Sequence, residues 1–452
     1  MIFKTFRIGG IHPEENKITA EMETCVAELP QQAFFPLSQH IGVPAVPVVK
    51  KGDKVKVGTK IAEAGGPVSA SIHSSVSGTV VKVGAIIDAT GYSKPVIIIN
   101  VEDDVWEESI DRSDSLETLE KHGELTPEEI IRRIKDAGIT GMGGAGFPTH
   151  VKLNPPASAK IDSVIINAVE CEPYITSDYR LMMEHADEIL VGVKLLLRAV
   201  SAHNGYIGIE ANKPKAIKLF QEKTAEDKSI MVVPLKQKYP QGGEKQLIDA
   251  VIRRQVPDPP AIPANVGTVV VNVGTAFAIY QAVMKNKPLF ERYTSVTGKK
   301  IGLPKNFLVR MGTPISKLID ACGGLPEGEN KVIVGGPMMG KALMTTDVPV
   351  CKGTNSVTVL SGKEAGRNKN VGPCIRCAKC VGVCPMGLEP YVLATSSSAH
   401  DWAKAEEHFI TSCIECGSCQ YTCPANRPML DNIRLGKSKV MALIKARKRK
   451  QK

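Results

Sequence analysis

Cys374-x2-Cys377-x2-Cys380-x3-Cys384-Pro385 is followed by a second copy of the same spacing, Cys413-x2-Cys416-x2-Cys419-x3-Cys423-Pro424. Each [4Fe–4S] cubane needs four thiolates, and a tight C-x2-C-x2-C loop wraps only three around one cluster, so the fourth cysteine of each run is expected to cross to the other. Cluster 1 is then predicted to take Cys374, Cys377, Cys380 and Cys423, and cluster 2 Cys413, Cys416, Cys419 and Cys384. Structural zinc usually uses paired C-x2-C elements, and disulfide frameworks belong to short secreted chains. Neither pattern matches this 452-residue sequence. The doubled run predicts a two-[4Fe–4S] ferredoxin-like domain that moves single electrons.

Composition sets the surroundings. The length allows two to four domains, and 43% apolar residues suffice for ordinary cores. The opening MIFKTFRIGGIHPEENK has no charged lead into an apolar run and does not read as a secretory signal. Cys25, Cys171, Cys322 and Cys351 are scattered, as suits a reducing compartment. Residues 259–284 carry no charge, but prolines, glycines and asparagines interrupt them. They read as a buried strand feeding a helix, and no membrane span is expected. Of the formal charge of +10, residues 437–452 supply eight Lys or Arg and no acid. That run is either a solvated, disordered tail or a short basic amphipathic helix lying on anionic lipid or an acidic partner. Nucleic acid is not expected as a partner, because no aromatic residue interleaves with it.

The expected organisation is multidomain, α/β and α+β. An N-terminal segment (1–42) precedes a small β domain (43–101) of alternating short strands. GDKVKVGTKIAE and VSGTVVKV in that domain resemble the barrel-sandwich fold of lipoyl and biotinyl carriers. Residues 70–77, where those carriers present a modifiable lysine, contain none, so a docking or structural role is expected. An acidic linker (102–124) leads to an α/β layered domain (125–290). Its strands are SVIINAV, GYIGIEA, SIMVVPL and TVVVNV, and its helices include TPEEIIRRIKDAG and one long helix over YRLMMEHADEILVGVKLLLRAV. A small α+β module (291–350), the cysteine domain (365–435) and the basic tail (436–452) complete the chain.

Two segments of the α/β domain suggest a nucleotide site. Gly141-Met142-Gly143-Gly144-Ala145-Gly146-Phe147-Pro148 satisfies G-x-G-x-x-G, yet a helix precedes it and Phe-Pro-Thr follows, so a standard Rossmann loop is not expected. The glycines either let backbone N–H groups approach a phosphate or flat ring, or form a tight structural turn. Asn167-Ala168-Val169-Glu170-Cys171-Glu172-Pro173 ends the next strand, with Asp178 and Arg180 beyond. Its acids can accept hydrogen bonds from ribose hydroxyls, a carboxamide or a flavin N–H, or they form a solvated loop.

GMGGAGFPTHVKL and NAVECEPYITSDYR resemble the flavin- and NADH-binding subunit of respiratory complex I, which has GRGGAGFPTGLKW and NADESEPGTFKDR. Tyr239-Pro240-Gln241-Gly242-Gly243-Glu244 is similar to its YICGEE, and Val271-Asn272-Val273-Gly274-Thr275 to its VNNVET. The piece after Ser295 resembles the ubiquitin-like SLBB module of that family. The order of parts, the GGIHPEENK opening and the two-cluster end resemble the RnfC family of ion-translocating Rnf complexes. The resemblance implies FMN contacts at Gly141, Gly143, Gly144, Lys152, Asn167, Glu170, Gly242 and Asn272. It implies NADH contacts at Phe147, Glu172 and Glu244, with Glu172 the catalytic acid at the nicotinamide end. Met142, Val169, Gly243 and Val271 depart from the complex I pattern, which has Arg, Asp, Glu and Asn there.

The function so implied is a peripheral electron-input subunit on the cytoplasmic side of the membrane, in an ion-translocating ferredoxin:NAD oxidoreductase. Its cofactors would be FMN and two [4Fe–4S] clusters, with NAD(H) as substrate. Its partners would be the other Rnf subunits, and through them ferredoxin. The alternatives are a non-catalytic iron–sulfur electron wire and a soluble flavin and iron–sulfur NADH dehydrogenase.

Overall fold

The computed structural model describes residues 3–88, 91–123, 125–156, 158–366 and 370–450. Glu124 at the end of the linker, residues 367–369 in the cysteine domain, and Gln451 and Lys452 in the tail lie outside these. The four apolar runs of the α/β domain form one parallel sheet in the order Ile230–Leu235, Asn204–Glu210, Ser163–Ala168, Thr268–Asn272. Alternation across the sheet divides its side chains between two cores. Val164, Ile166, Ala168, Val269 and Val271 pack in the core shared with helices Pro127–Asp136, Ala186–Ala199 and Val273–Met284. Ile165, Val233, Leu235 and Val270 pack on the opposite face with Leu247 and Val251 of helix Glu244–Ile252. Thr126 caps helix Pro127–Asp136, its hydroxyl accepting from the Glu129 amide.

The long helix expected over residues 179–200 is instead two, Ser177–Glu184 and Ala186–Ala199, broken at His185 (φ −135°, ψ 41°). The ring of His185 is hydrogen-bonded at 3.0 Å to Glu188 and at 2.7 Å to the Tyr293 hydroxyl of the following module. Partners on either side of the ring accompany a break that helical periodicity does not announce.

The barrel-sandwich domain has a four-stranded sheet, Gln32–Pro36, Ser93–Val101, Gly78–Ile87 and Lys54–Val55, over a three-stranded one, Val46–Pro47, Lys60–Glu63 and Ile72–His73. Residues 70–77, the tip that carriers expose, are buried here. The Ser71 carbonyl accepts from Lys352 Nζ at 2.6 Å, and the Ser75 carbonyl accepts from Arg310 at 2.6 Å. The tip is therefore docked on the next modules, as its lack of lysine suggested.

Three sequence-based boundaries shift. Residues 1–42 are not a separate segment: strand Gln32–Pro36 belongs to the barrel sheet, and strand Thr24–Val26 adds in parallel to strand Lys305–Arg310 of the SLBB module. That module's sheet also includes Ser356–Ser361, beyond residue 350. The tail continues helix Met429–Lys450, whose Val440 is buried in the core of the cysteine domain. A disordered tail is thus not what residues 437–450 form. These differences share a cause, since short strands and helix ends are completed by neighbours distant in sequence.

Gly192 lies within helix Ala186–Ala199, where a Cβ would fall inside contact distance of the Ala276 carbonyl oxygen on helix Val273–Met284. Gly192→Ala should force these helices apart at a cost of roughly 1–3 kcal/mol. Calorimetry should then show a lower thermal midpoint, and an unchanged midpoint would contradict the close approach.

Candidate functional site

From strand Ser163–Ala168 the chain moves outward through Asn204–Glu210 to Ile230–Leu235, then crosses back to place Thr268–Asn272 on the other side. Ligands of open parallel sheets bind outside the carboxyl ends of the strands at such a reversal. Asn167 and Asn272 stand at those two ends. The Asn272 Oδ1 accepts from the Gly274 amide at 3.0 Å, and its Nδ2 donates to Asp178 at 2.7 Å. Asn167 Nδ2 donates to the Gly242 carbonyl at 2.8 Å.

The glycine loop lies over the same crevice, since a Cβ on Gly143 would meet that of Asn272 at 3.2 Å. The Gly141 amide donates to the Phe147 carbonyl at 2.8 Å and closes the loop. The Met142 amide donates to Thr275 at 2.9 Å, while its carbonyl accepts from buried Arg292 at 2.6 Å. Gly143, Gly144 and Ala145 are left exposed between buried neighbours. Gly144 has φ of 118° and no atom within 4 Å of where a Cβ would be, so its backbone is open to a ligand. Lys152 Nζ donates to Glu244 at 2.6 Å and to the Val270 carbonyl at 2.9 Å. Asn167, Asn272, Gly143 and Gly242 are thus brought together by direct contacts, and the Lys152–Glu244 pair lies beside Val270, two residues before Asn272.

The two acids of the 170–173 loop divide. Glu170, at φ of 49°, accepts from the amides of Asp178 (2.7 Å) and Tyr179 (3.3 Å) at the start of helix Ser177–Glu184. It thereby belongs with Asp178 and Asn272 on the crevice. Glu172 instead accepts from the amides of Met338 (3.1 Å) and Met339 (2.7 Å) of the SLBB module. Crowding by protein pushes both carboxyls up to about 7, against the pull of Lys17 on Glu170 and of the two amides on Glu172.

Two lysines that sequence reasoning passed over shape this loop. Lys17 Nζ donates to the carbonyls of Glu170 (2.7 Å), Glu172 (2.9 Å) and Ile175 (2.7 Å). Lys213 Nζ donates to the Val169 carbonyl at 2.7 Å. Lys17 ends the GGIHPEENK opening, which was the available signal. Lys213 had none beyond its place before Pro214.

The eight cysteines fall into two sets, in the crossed manner. Cys384 lines one cavity with Cys413, Cys416 and Cys419, and Cys423 lines another with Cys374, Cys377 and Cys380. Among the described residues no three His, Cys, Asp or Glu converge closely enough to hold a single metal ion. Burial pushes the thiols of Cys384, Cys413, Cys416 and Cys419 up, which keeps them protonated unless a positive centre occupies the cavity. The set of Cys384, Cys413, Cys416 and Cys419 abuts the α/β domain: the Tyr239 hydroxyl donates to the Cys416 carbonyl at 2.8 Å, and Gln246 Nε2 to the Pro385 carbonyl at 3.2 Å. The set of Cys374, Cys377, Cys380 and Cys423 is outermost, with Cys374, Cys377 and Ile375 exposed.

The departures from the complex I pattern are mostly buried apolar side chains. Met142, Val169 and Val271 are buried in the hydrophobic cores, and Gly243 precedes helix Glu244–Ile252 as its N-cap. Apolar packing replaces polar groups at three of the four positions.

Family models match four successive parts of the chain: an RnfC barrel sandwich hybrid domain over residues 4–104, a Nuo51 FMN-binding domain over 134–281, an SLBB domain over 293–342 and a 4Fe-4S dicluster domain over 367–424. The sequence is 43% identical over 411 residues to the C-type subunit of a proton-translocating ferredoxin:NAD(+) oxidoreductase complex from Clostridium ljungdahlii, covering 90% of this chain and 88% of that one. It is 42% identical to the corresponding subunit of an Na(+)-translocating ferredoxin:NAD(+) oxidoreductase complex from Acetobacterium woodii, covering 97% of each. It is 40% identical to that of an ion-translocating oxidoreductase complex from Rhodobacter capsulatus, covering 96% of this chain and 82% of that one. With all four parts in this order and such identity over nearly its whole length, the chain belongs to the RnfC family, subunits of ion-translocating ferredoxin:NAD(+) oxidoreductase (Rnf) complexes.

Proposed function

We infer that this subunit takes in electrons from NAD(H) at an FMN held in the crevice and passes them through cluster 2 and then cluster 1 to a partner subunit at the membrane. The observation that carries this reading is the placement of the two thiol sets, one against the α/β domain and the other at the surface. FMN, when bound, takes hydride from NADH and releases electrons singly, which [4Fe–4S] clusters then carry.

The residues present fit those groups. The open backbone at Gly143 and Gly144 admits a phosphate or ring edge that a side chain would block. Asn167, Asn272, Glu170 and Asp178 supply the acceptors and donors around it, and Lys152 the nearby positive charge. Phe147, whose carbonyl accepts from the Gly141 amide, and Glu244, paired with Lys152, would meet NADH. Glu172, Tyr239 and Gln246 lie toward cluster 2. Cys374, Cys377, Cys380 and Cys423 would hold cluster 1, and Cys413, Cys416, Cys419 and Cys384 cluster 2.

Attachment to the other Rnf subunits would be peripheral and cytoplasmic. Among the described residues no helix is long and apolar enough to cross a membrane. Helix Met429–Lys450 ends in Arg447, Lys448, Arg449 and Lys450, with Met441 and Leu443 exposed. This end suits an anionic surface.

Iron, sulfide and flavin analysis of the purified chain, with NADH reduction of its flavin, tests the reading as a whole; a chain with clusters but no flavin would leave the electron-wire alternative. Cys384→Ala should remove cluster 2 while cluster 1 persists, as electron paramagnetic resonance would show. Loss of the opposite cluster would sink the crossed assignment. Truncation before residue 437 would also cut the Lys437 bonds to the Cys413 carbonyl (2.7 Å) and Glu415 (3.0 Å), so the charge test needs a later cut. Removing residues 445–452 should weaken membrane association most at low salt, since charges act over only about 8 Å at physiological ionic strength. Cluster content should not change. Equal membrane recovery at every ionic strength would return this end to a merely solvated role.

A further inference from the structure

The turn at residues 335–340 of the SLBB module is held from two sides. Within itself it is closed by the Gly340 amide donating to the Gly336 carbonyl at 2.9 Å, and its Gly335 amide donates to the Ser356 carbonyl at 2.8 Å. On one side both carboxylate oxygens of Glu172 accept from its Met338 and Met339 amides, and Gly336 lies so close that a Cβ there would collide with the Glu172 carboxylate. On the other side it meets the Cys413–Cys419 loop. A Cβ on Gly417 would stand 3.0 Å from the Met338 carbonyl oxygen, and Arg434 donates to the Met339 carbonyl at 3.2 Å while pairing with Glu415 at 3.3 Å. Met338 and Cys171 pack together with Ile11, Tyr239 and Cys416 in one small apolar cluster. The SLBB turn is therefore a wedge between the loop that leaves the crevice and the loop of the inner thiol set.

The geometry points to Glu172 as a positioning residue that sets the separation between the flavin crevice and cluster 2 by clamping this wedge. This inference rests on the crevice being the flavin site. The α/β domain also reaches this thiol set directly: Tyr239 donates to the Cys416 carbonyl, the Ser412 hydroxyl donates to Asp258 at 2.6 Å, and Gln246 donates to the Pro385 carbonyl, so the wedge acts beside these ties. Electron tunnelling falls steeply with separation, so a clamp that fixes the separation acts on the transfer rate without touching substrate. A carboxyl group suits the task because each of its two oxygens accepts one of the two amides. Gln keeps the shape but turns an N–H2 toward one of the two amides, leaving that donor unpaired.

The test uses the full chain carrying flavin and clusters. In Glu172→Gln, flavin reduction by NADH should keep its rate and its dependence on NADH concentration. Stopped-flow reduction of cluster 2 should be slower than in the unaltered chain, and its resonance line shape should shift. Arg434→Met, which releases the wedge from the opposite side, should slow the same step less, and it serves if the first variant does not fold. A tenfold weaker dependence on NADH with unaltered internal transfer would overturn the inference and return Glu172 to the nicotinamide. Unchanged rates and line shapes would overturn it in favour of a merely structural acid. Should the unaltered chain fail to take electrons from NADH, the proposed function falls by itself. The line shape of cluster 2 reduced by dithionite in Glu172→Gln then decides the clamp alone, an unshifted line being the overturning result.

Discussion

Lys17 holds together the loop on which the rest of the site depends. Its ammonium is partly buried, and its three donors are matched by three carbonyls of one short stretch, Glu170, Glu172 and Ile175. Burial and the nearby charge of Lys213 push its pKa down, and the neighbouring carboxylates oppose that shift. Drawing three carbonyls to a single point curls the backbone, with Glu170 and Tyr174 at positive φ. The curl sends the Glu170 side chain toward helix Ser177–Glu184 and the Glu172 side chain toward the SLBB module. Two acids separated by a single residue, Cys171, thereby serve different neighbours.

The same economy of long-range contacts runs through the assembly of domains. Arg292, on the SLBB strand Glu291–Thr297, donates to the carbonyls of Met142, Lys352 and Thr354, so a residue outside the α/β domain steadies the glycine loop. Lys352, 1% exposed, donates to the carbonyls of Ser71 and Gly138 and so ties the barrel-sandwich tip to the α/β domain. Burial pushes its pKa down to about 7, and its two carbonyl partners match the two N–H groups of a neutral amine. The N-terminal stretch pairs with the α/β sheet near Leu235, the SLBB sheet near Asn306 and the barrel sheet near Ile98. The modules are recognisable one by one, but they are held as a unit by groups that belong to neither partner's own motif.

Much of this was legible beforehand. The doubled cysteine spacing predicted the two crossed sets because loop length limits how many thiols can face one void, and this limit is local. The four apolar strands of the α/β domain were readable from period and length. The absence of lysine at residues 70–77 excluded a carrier's swinging arm. What escaped were features whose cause lies across the fold. His185 breaks a helix whose periodicity is continuous, the SLBB sheet borrows a strand from residues 24–26, and the basic tail is helical because Val440 finds a core to enter.

By itself, then, the sequence determined the element types, the order of the four modules and the grouping of the cysteines, because spacing and hydrophobic period act over a few residues. Only the tertiary structure decided which way Glu170 and Glu172 turn, that the thiol set of Cys384, Cys413, Cys416 and Cys419 lies against the α/β domain, and that an SLBB turn stands between Glu172 and the Cys413–Cys419 loop. Those outcomes depend on Lys17, Tyr239, Arg434 and the Met338 and Met339 amides meeting across gaps of about a hundred residues or more. No local pattern encodes such meetings, since each partner's own neighbourhood is satisfied without reference to the other.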